Sequence, residues 1–156
     1  MAEYHAHVAW TLAPGEDFLG GRYSRGHTLT FDEGVTVPGS ASPHVVGNRF
    51  SVAAAVDPEE MFVAALSSCH MLTFLHRCRL AGLAVAAYTD AAFGVMAEVA
   101  PGRRAVTHVT LRPTIQWAGT SPDPALVARL HHEAHEECFI ANSVRTEVVV
   151  AEVAVE

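Results

Sequence analysis

The sequence predicts an α+β fold with an antiparallel sheet, and three observations carry that reading. Short segments of alternating apolar and polar residues lie on both sides of a long apolar run. That run opens with a helix-start signal, Asp57-Pro58-Glu59-Glu60. A second such signal, Ser121-Pro122-Asp123-Pro124, precedes a closing Val-rich segment. The order strands, helix, strands, helix, strand places the chain in the mixed class, as a single domain over residues 1–156.

Each element has a local reason. Residues 3–10 alternate, with Tyr4, Ala6, Val8 and Trp10 on one face, and predict a strand with that face buried. His27–Phe31 alternates again with Leu29 and Phe31 inward, Asp32-Glu33-Gly34 turns the chain, and Val35-Thr36-Val37 returns. Residues 38–49 read as a Gly/Pro/Ser-rich connection. The central helix is expected over about 58–81, capped by Asp57, with Glu60 completing a capping box and Gly82 as a left-handed stop. Its apolar residues occupy nearly all sides, so it is expected to be a core helix or one buried against a second subunit. Strands follow over roughly 85–99, with Gly94 as a bulge or close approach, and about 104–117. A helix capped by Asp123 leads to Cys138, and residues 146–155 close the chain as a strand.

Composition narrows the function. Half of the 156 residues are hydrophobic and the net charge is −7, which argues against disorder and against nucleic acid or an anionic membrane as partner. No basic and apolar leader precedes the first strand, and three cysteines cannot all pair within the chain. The expectation is a cytoplasmic protein whose thiols serve catalysis or redox chemistry.

Cys69 and Cys138 each sit on or at the end of a predicted helix. One reading is a peroxidatic and a resolving thiol: a thiolate cleaves a peroxide O–O bond, and a second thiol condenses with the sulfenic acid. Arg22 or Arg25 would stabilise the thiolate, and Glu59 would orient the guanidinium. On spacing alone, two inert buried cysteines are an equal alternative. Cys78 is half a helical turn out of phase with Cys69 and reads as structural. His70 adjoins Cys69 on the helix and cannot face it. His131, His135 and Cys138 share a face that invites a metal, but the zincin pattern fails at Glu136, and a solvated polar face explains the run more simply.

Two stretches, Asp57-Pro58-Glu59-Glu60 through Cys69-His70-Met71 and His135-Glu136-Glu137-Cys138 through Asn142-Ser143-Val144, resemble the OsmC/Ohr family of thiol-dependent peroxidases. The resemblance covers most of the chain and is closest to an OsmC-like branch. It implies an OsmC-like fold in an intertwined homodimer, with no cofactor. It implies Cys69 as peroxidatic cysteine, Cys138 as resolving cysteine, and Glu59 as partner of the catalytic arginine. Gly20-Gly21-Arg22 is similar to the family's Gly-Gly-Arg loop, which makes Arg22 the first choice and Arg25 the alternative. The implied partners are a hydroperoxide substrate and a dithiol reductant such as a lipoyl protein. Phe139-Ile140 stands where the family often has proline after the second cysteine, and His70 where many members are apolar. The competing reading is a non-catalytic metal- or small-ligand-binding protein on the same scaffold.

Overall fold

The computed structural model describes residues 1–151. The chain divides into two compact units, Met1–Met61 and Phe62–Glu156.

In the first unit, β1 (His7–Ala9), β2 (His27–Thr30) and β3 (Thr36–Gly39) form an antiparallel sheet in that order. Val8 pairs with Leu29, and Leu29 with Val37. The β2–β3 turn is a 3-10 turn, Asp32–Gly34, in which Glu33 and Gly34 both take positive φ (59° and 78°). The expected strand over residues 3–10 shrinks to β1, and its supposed inner face is exposed: Tyr4 and Val8 are 88% and 61% accessible. Phe31, expected inward, is exposed as well. Alternation reports that a face is apolar, not that this chain alone covers it. The connection after β3 holds one helical turn, α1 (Pro43–Val46), started by Pro43 and capped where His44 N–H donates to Ser42 Oγ.

Helix α2 (Pro58–Leu80) begins with a reciprocal capping box. Glu60 N–H donates to Asp57 Oδ1 at 2.7 Å, and Asp57 N–H to Glu60 Oε2 at 3.0 Å. Gly82, at φ 74°, follows the helix in the left-handed conformation.

The second unit is built on the rest of α2. The two long strands expected after it are each broken once. They become β4 (Val85–Asp90), β5 (Phe93–Ala100), β6 (Arg103–Leu111) and β7 (Pro113–Trp117). β5 pairs with β6 and β4 with β7, so residues 85–117 form one long antiparallel hairpin divided between two sheets. The break has a cause. Arg112 N–H leaves the ladder to donate to Asp90 Oδ1 at 2.7 Å, and Pro113 beside it has no N–H to give. Ser67 on α2 donates to the other Asp90 oxygen at 2.5 Å.

The last strand, β8 (Glu147–Val150), pairs parallel with β6, Val109 beside Val148, so this sheet is mixed rather than antiparallel throughout. The remainder of the strand expected over 146–155 lies outside the described residues from 152 on. Helix α3 (Pro124–Glu137) starts as expected, with Ala125 N–H donating to Asp123 Oδ1 at 2.7 Å.

α2 is not buried all round. Within this chain its buried residues are Leu66, His70, Phe74 and Cys78, each four positions from the last. Leu66 packs with Val109 and Leu111 of β6. Phe74 and Cys78 pack with Val127, Leu130 and Ala134 of α3 and with Tyr88, Ile115 and Trp117. Ala64, Ala65, Ser68, Leu72 and His76 are exposed. No helix among the described residues is long and apolar enough to cross a membrane.

Gly94 is a close approach, as expected: a Cβ there would meet Val63 Cγ2 at 2.8 Å and Val106 Cγ1 at 3.1 Å. Gly94→Ala is expected to lower the urea midpoint by an amount equivalent to about 1–3 kcal/mol, with the m-value unchanged. A midpoint equal to wild type would show that β5 shifts away without cost.

Candidate active site

Both cysteines of interest lie in the second unit, and the helices bring them together. Cys69 sits beside the buried stripe of α2, half-buried. Cys138 is the C-cap of α3, where the helix stops and the backbone turns extended (φ −70°, ψ 112°). The turn after it is pinned by its own polar groups. Asn142 N–H donates to Cys138 O at 3.0 Å, Asn142 Nδ2 to Glu136 O at 2.8 Å, and Ser143 Oγ to Phe139 O at 2.7 Å. Asn142 and Ser143 are thus the residues that wrap the chain around Cys138.

All three thiols are free. The Cys138 thiol lies beside Cys69. Burial raises the Cys138 pKa first, and the neighbouring Cys69 raises it further, against weaker opposition from the Ala141 and Ile140 amides. Cys138 therefore holds its proton more firmly than an ordinary thiol. Cys69 lines an open groove of about 680 Å³ whose walls include Ala65, Leu72, Phe139 and Ile140, with His76 and Glu137 also lining it. Phe139, which follows Cys138, is 80% exposed. Cys78 takes the structural place expected of it, packed under Phe74 and Leu130, with burial pushing its pKa up to about 11.

The first unit carries the other named residues. Arg22 pairs with Asp17 across a short turn and remains mostly exposed. Arg25 is half-buried. Its guanidinium lies 3.5 Å over the Tyr23 ring, and its Nη1 donates to the carbonyls of Gly21 and Tyr23. Tyr23 is itself held by Phe18 (4.8 Å, stacked) and Trp10 (5.4 Å, edge-on). Among the described residues Arg25 has no carboxylate partner. Glu59 is half-buried in the first turn of α2.

The histidine run on α3 is not the solvated face expected of it. His131 is buried, and its Nδ1 lies 3.0 Å from Nε2 of His70, which is buried on α2. Its ring also stacks on Phe74 with centroids 3.9 Å apart. Only His132 of the run points to solvent, while His135 is half-buried. The signal was present in the spacing: Val127, Leu130, His131, Ala134 and Cys138 fall on one helical face. Among the described residues, no group of three or more His, Cys, Asp or Glu is arranged to hold a metal.

A family model described as OsmC-like protein matches residues 51–153. The chain belongs to the OsmC-like family. A Vibrio cholerae OsmC-like protein of unknown function is 50% identical, with a TM-score of 0.93 over 97% of this chain and 99% of its own. More distant folds agree. An organic hydroperoxide resistance protein of Elizabethkingia anophelis is 17% identical, with a TM-score of 0.72 over 99% and 98% of the two chains. One of Legionella pneumophila, also 17% identical, has a TM-score of 0.69 over 97% and 98%. A comparison with curated proteins found no match. In this chain the long helix α2 carries Cys69 and helix α3 ends at Cys138.

The buried imidazoles set a pH dependence of stability. Burial lowers both His70 and His131 from 6.5 to about 4; the nearby His135 lowers His70 further and Asp90 opposes it, while His70 lowers His131. Between those values the unfolded chain binds protons that the folded chain refuses. Stability is full above pH 6.5 and falls as pH drops toward 4. The slope is at most about 1.4 kcal/mol per pH unit for each histidine. Urea denaturation at pH 7, 5.5 and 4 reads it directly, and a flat profile would mean that the pair is not neutral in the fold.

Proposed function

We propose that this chain is a thiol-dependent peroxidase that reduces organic hydroperoxides. The observation that carries the reading is that Cys138 lies beside Cys69, which lines an open, apolar-walled groove. Inert core cysteines gain nothing from meeting beside such a groove. The names of two relatives of the same fold, organic hydroperoxide resistance proteins, support it further.

In the first step the Cys69 thiolate attacks the distal peroxide oxygen. The O–O bond breaks, the alkoxide takes a proton and leaves as the alcohol, and Cys69 is left as a sulfenic acid. The Cys138 sulfur then attacks the Cys69 sulfur. The hydroxyl departs with the thiol proton as water, and a disulfide forms. A dithiol, such as a lipoyl group, returns both thiols by exchange. Staying protonated until then suits Cys138 to the second step, because it leaves Cys69 to meet the peroxide first.

An arginine stabilises the charge on the attacking sulfur and on the alkoxide, and Glu59 orients it. Arg22 is already neutralised by Asp17. Arg25 stands without a carboxylate partner among the described residues and is held by Tyr23, which favours Arg25 for this role. The working form is a homodimer in the cytoplasm. The exposed small and apolar residues of α2, Ala64, Ala65, Ser68 and Leu72, suit close approach by a second copy.

Cys69→Ser is expected to reduce cumene hydroperoxide consumption to background. Cys138→Ser should complete one turnover and then accumulate oxidised Cys69. Arg25→Ala should lose about 10²–10³-fold in kcat/KM, while Arg22→Ala stays close to wild type. Full turnover by Cys69→Ser would end this reading, and the reverse ranking of the arginines would return the role to Arg22.

A further inference from the structure

The reaction uses two thiols and an arginine and leaves two buried imidazoles without a task. His70 is 1% exposed and His131 4%, their rings lie 5° from parallel, and a 3.0 Å contact joins them. Each also keeps a second ring nitrogen, Nδ1 of His70 and Nε2 of His131, buried without a hydrogen-bond partner. Such atoms are costly, and leucine at both positions would fill the same stripe more cheaply. A pair kept under those terms calls for a reason other than stability.

The position of the pair suggests one. His70 adjoins Cys69 on α2, and His131 lies two turns before Cys138 on α3. We propose that the His70–His131 hydrogen bond is a positioning link, setting the approach of α2 and α3 where the thiols meet so that the Cys69–Cys138 disulfide closes without strain. The inference rests on the reading that these two cysteines form a redox pair. Apolar side chains tolerate sliding of one helix along another, whereas a hydrogen bond fixes length and direction together. The His131 ring cannot swing to accommodate a slip, because Phe74 stacks on it at 3.9 Å. The second tie between the helices, Arg77 Nε to Glu133 Oε2 at 2.9 Å, lies farther along α2 and is partly solvated. The groups near His70 are His131 and His135 from α3 and Asp90 from β4, with Asp90 already engaged by Ser67 and Arg112.

The test leaves peroxide out. The protein is equilibrated in mixtures of reduced and oxidised glutathione, alkylated, and its Cys69–Cys138 disulfide measured by mass. The Cys69 thiolate displaces one glutathione, and Cys138 displaces the second as the disulfide closes. His70→Gln keeps a group at the Nε2 position and His131→Asn one at Nδ1, so each is expected to retain wild-type disulfide stability. The double variant H70L/H131L leaves no orphaned partner and should melt at or above the wild-type temperature. Its disulfide should nonetheless close with an effective concentration about tenfold or more below wild type. A stable double variant that closes as well as wild type overturns the link, and so does a wild-type protein that forms no Cys69–Cys138 disulfide. Should the double variant fail to fold, H70Q and H131N decide, and lost closure in either stable variant overturns the link. A wild-type protein that closes the disulfide yet ignores cumene hydroperoxide removes the peroxidase reading and leaves the link standing.

Discussion

In the second unit, everything depends on the stripe Leu66–His70–Phe74–Cys78. The four-residue spacing puts these side chains one above another on α2, and together they meet both sheets of this unit and α3. Leu66 meets the β5–β6–β8 sheet, His70 meets His131, and Phe74 and Cys78 meet α3 with the β4–β7 ribbon. Both hydrophobic clusters therefore hang on one helix. Cys69 sits beside the stripe, so the core determines where it lies, while it remains open to the groove.

Local chemistry made the helices legible. The capping box at Asp57 and Glu60, the Asp123 cap and the left-handed Gly82 all act within a few residues, and each appears as the sequence implies. The strands were harder, because their ends are decided at long range. Nothing near residues 90 or 112 says that the Asp90 carboxylate will take the Arg112 amide and split a hairpin in two. The parallel pairing of β8 with β6 is a matter of topology, which alternation along one strand does not report. The faces of β1 and α2 failed for a third reason. Their apolar residues are real, but the residue pattern reports that a face is apolar and not what packs against it.

The candidate site divides in the same way. Residue type, helix position and family resemblance made Cys69 and Cys138 candidates, while their proximity is a matter of the fold. The histidines misled because His131-His132-Glu133-Ala134-His135 looks polar when composition is weighed before period. Read at helical spacing with Val127 and Leu130, His131 falls inside. The arginine stayed open between Arg22 and Arg25, since only the fold reveals that Asp17 reaches the first and the Tyr23 ring the second.

The two thiols differ in a way that orders the proposed chemistry. A buried thiol resists ionisation, and Cys138 has the further reason that Cys69 lies beside it. The proton held on Cys138 is the one that departs with the hydroxyl once Cys69 carries a sulfenic acid. The sulfur best placed to resolve is thus kept out of the first step by the same contact that prepares it for the second. Moving Cys138 into solvent would remove both effects at once. A turn tied down by Asn142 and Ser143, at the end of a helix anchored through His131, is a structure suited to preventing that.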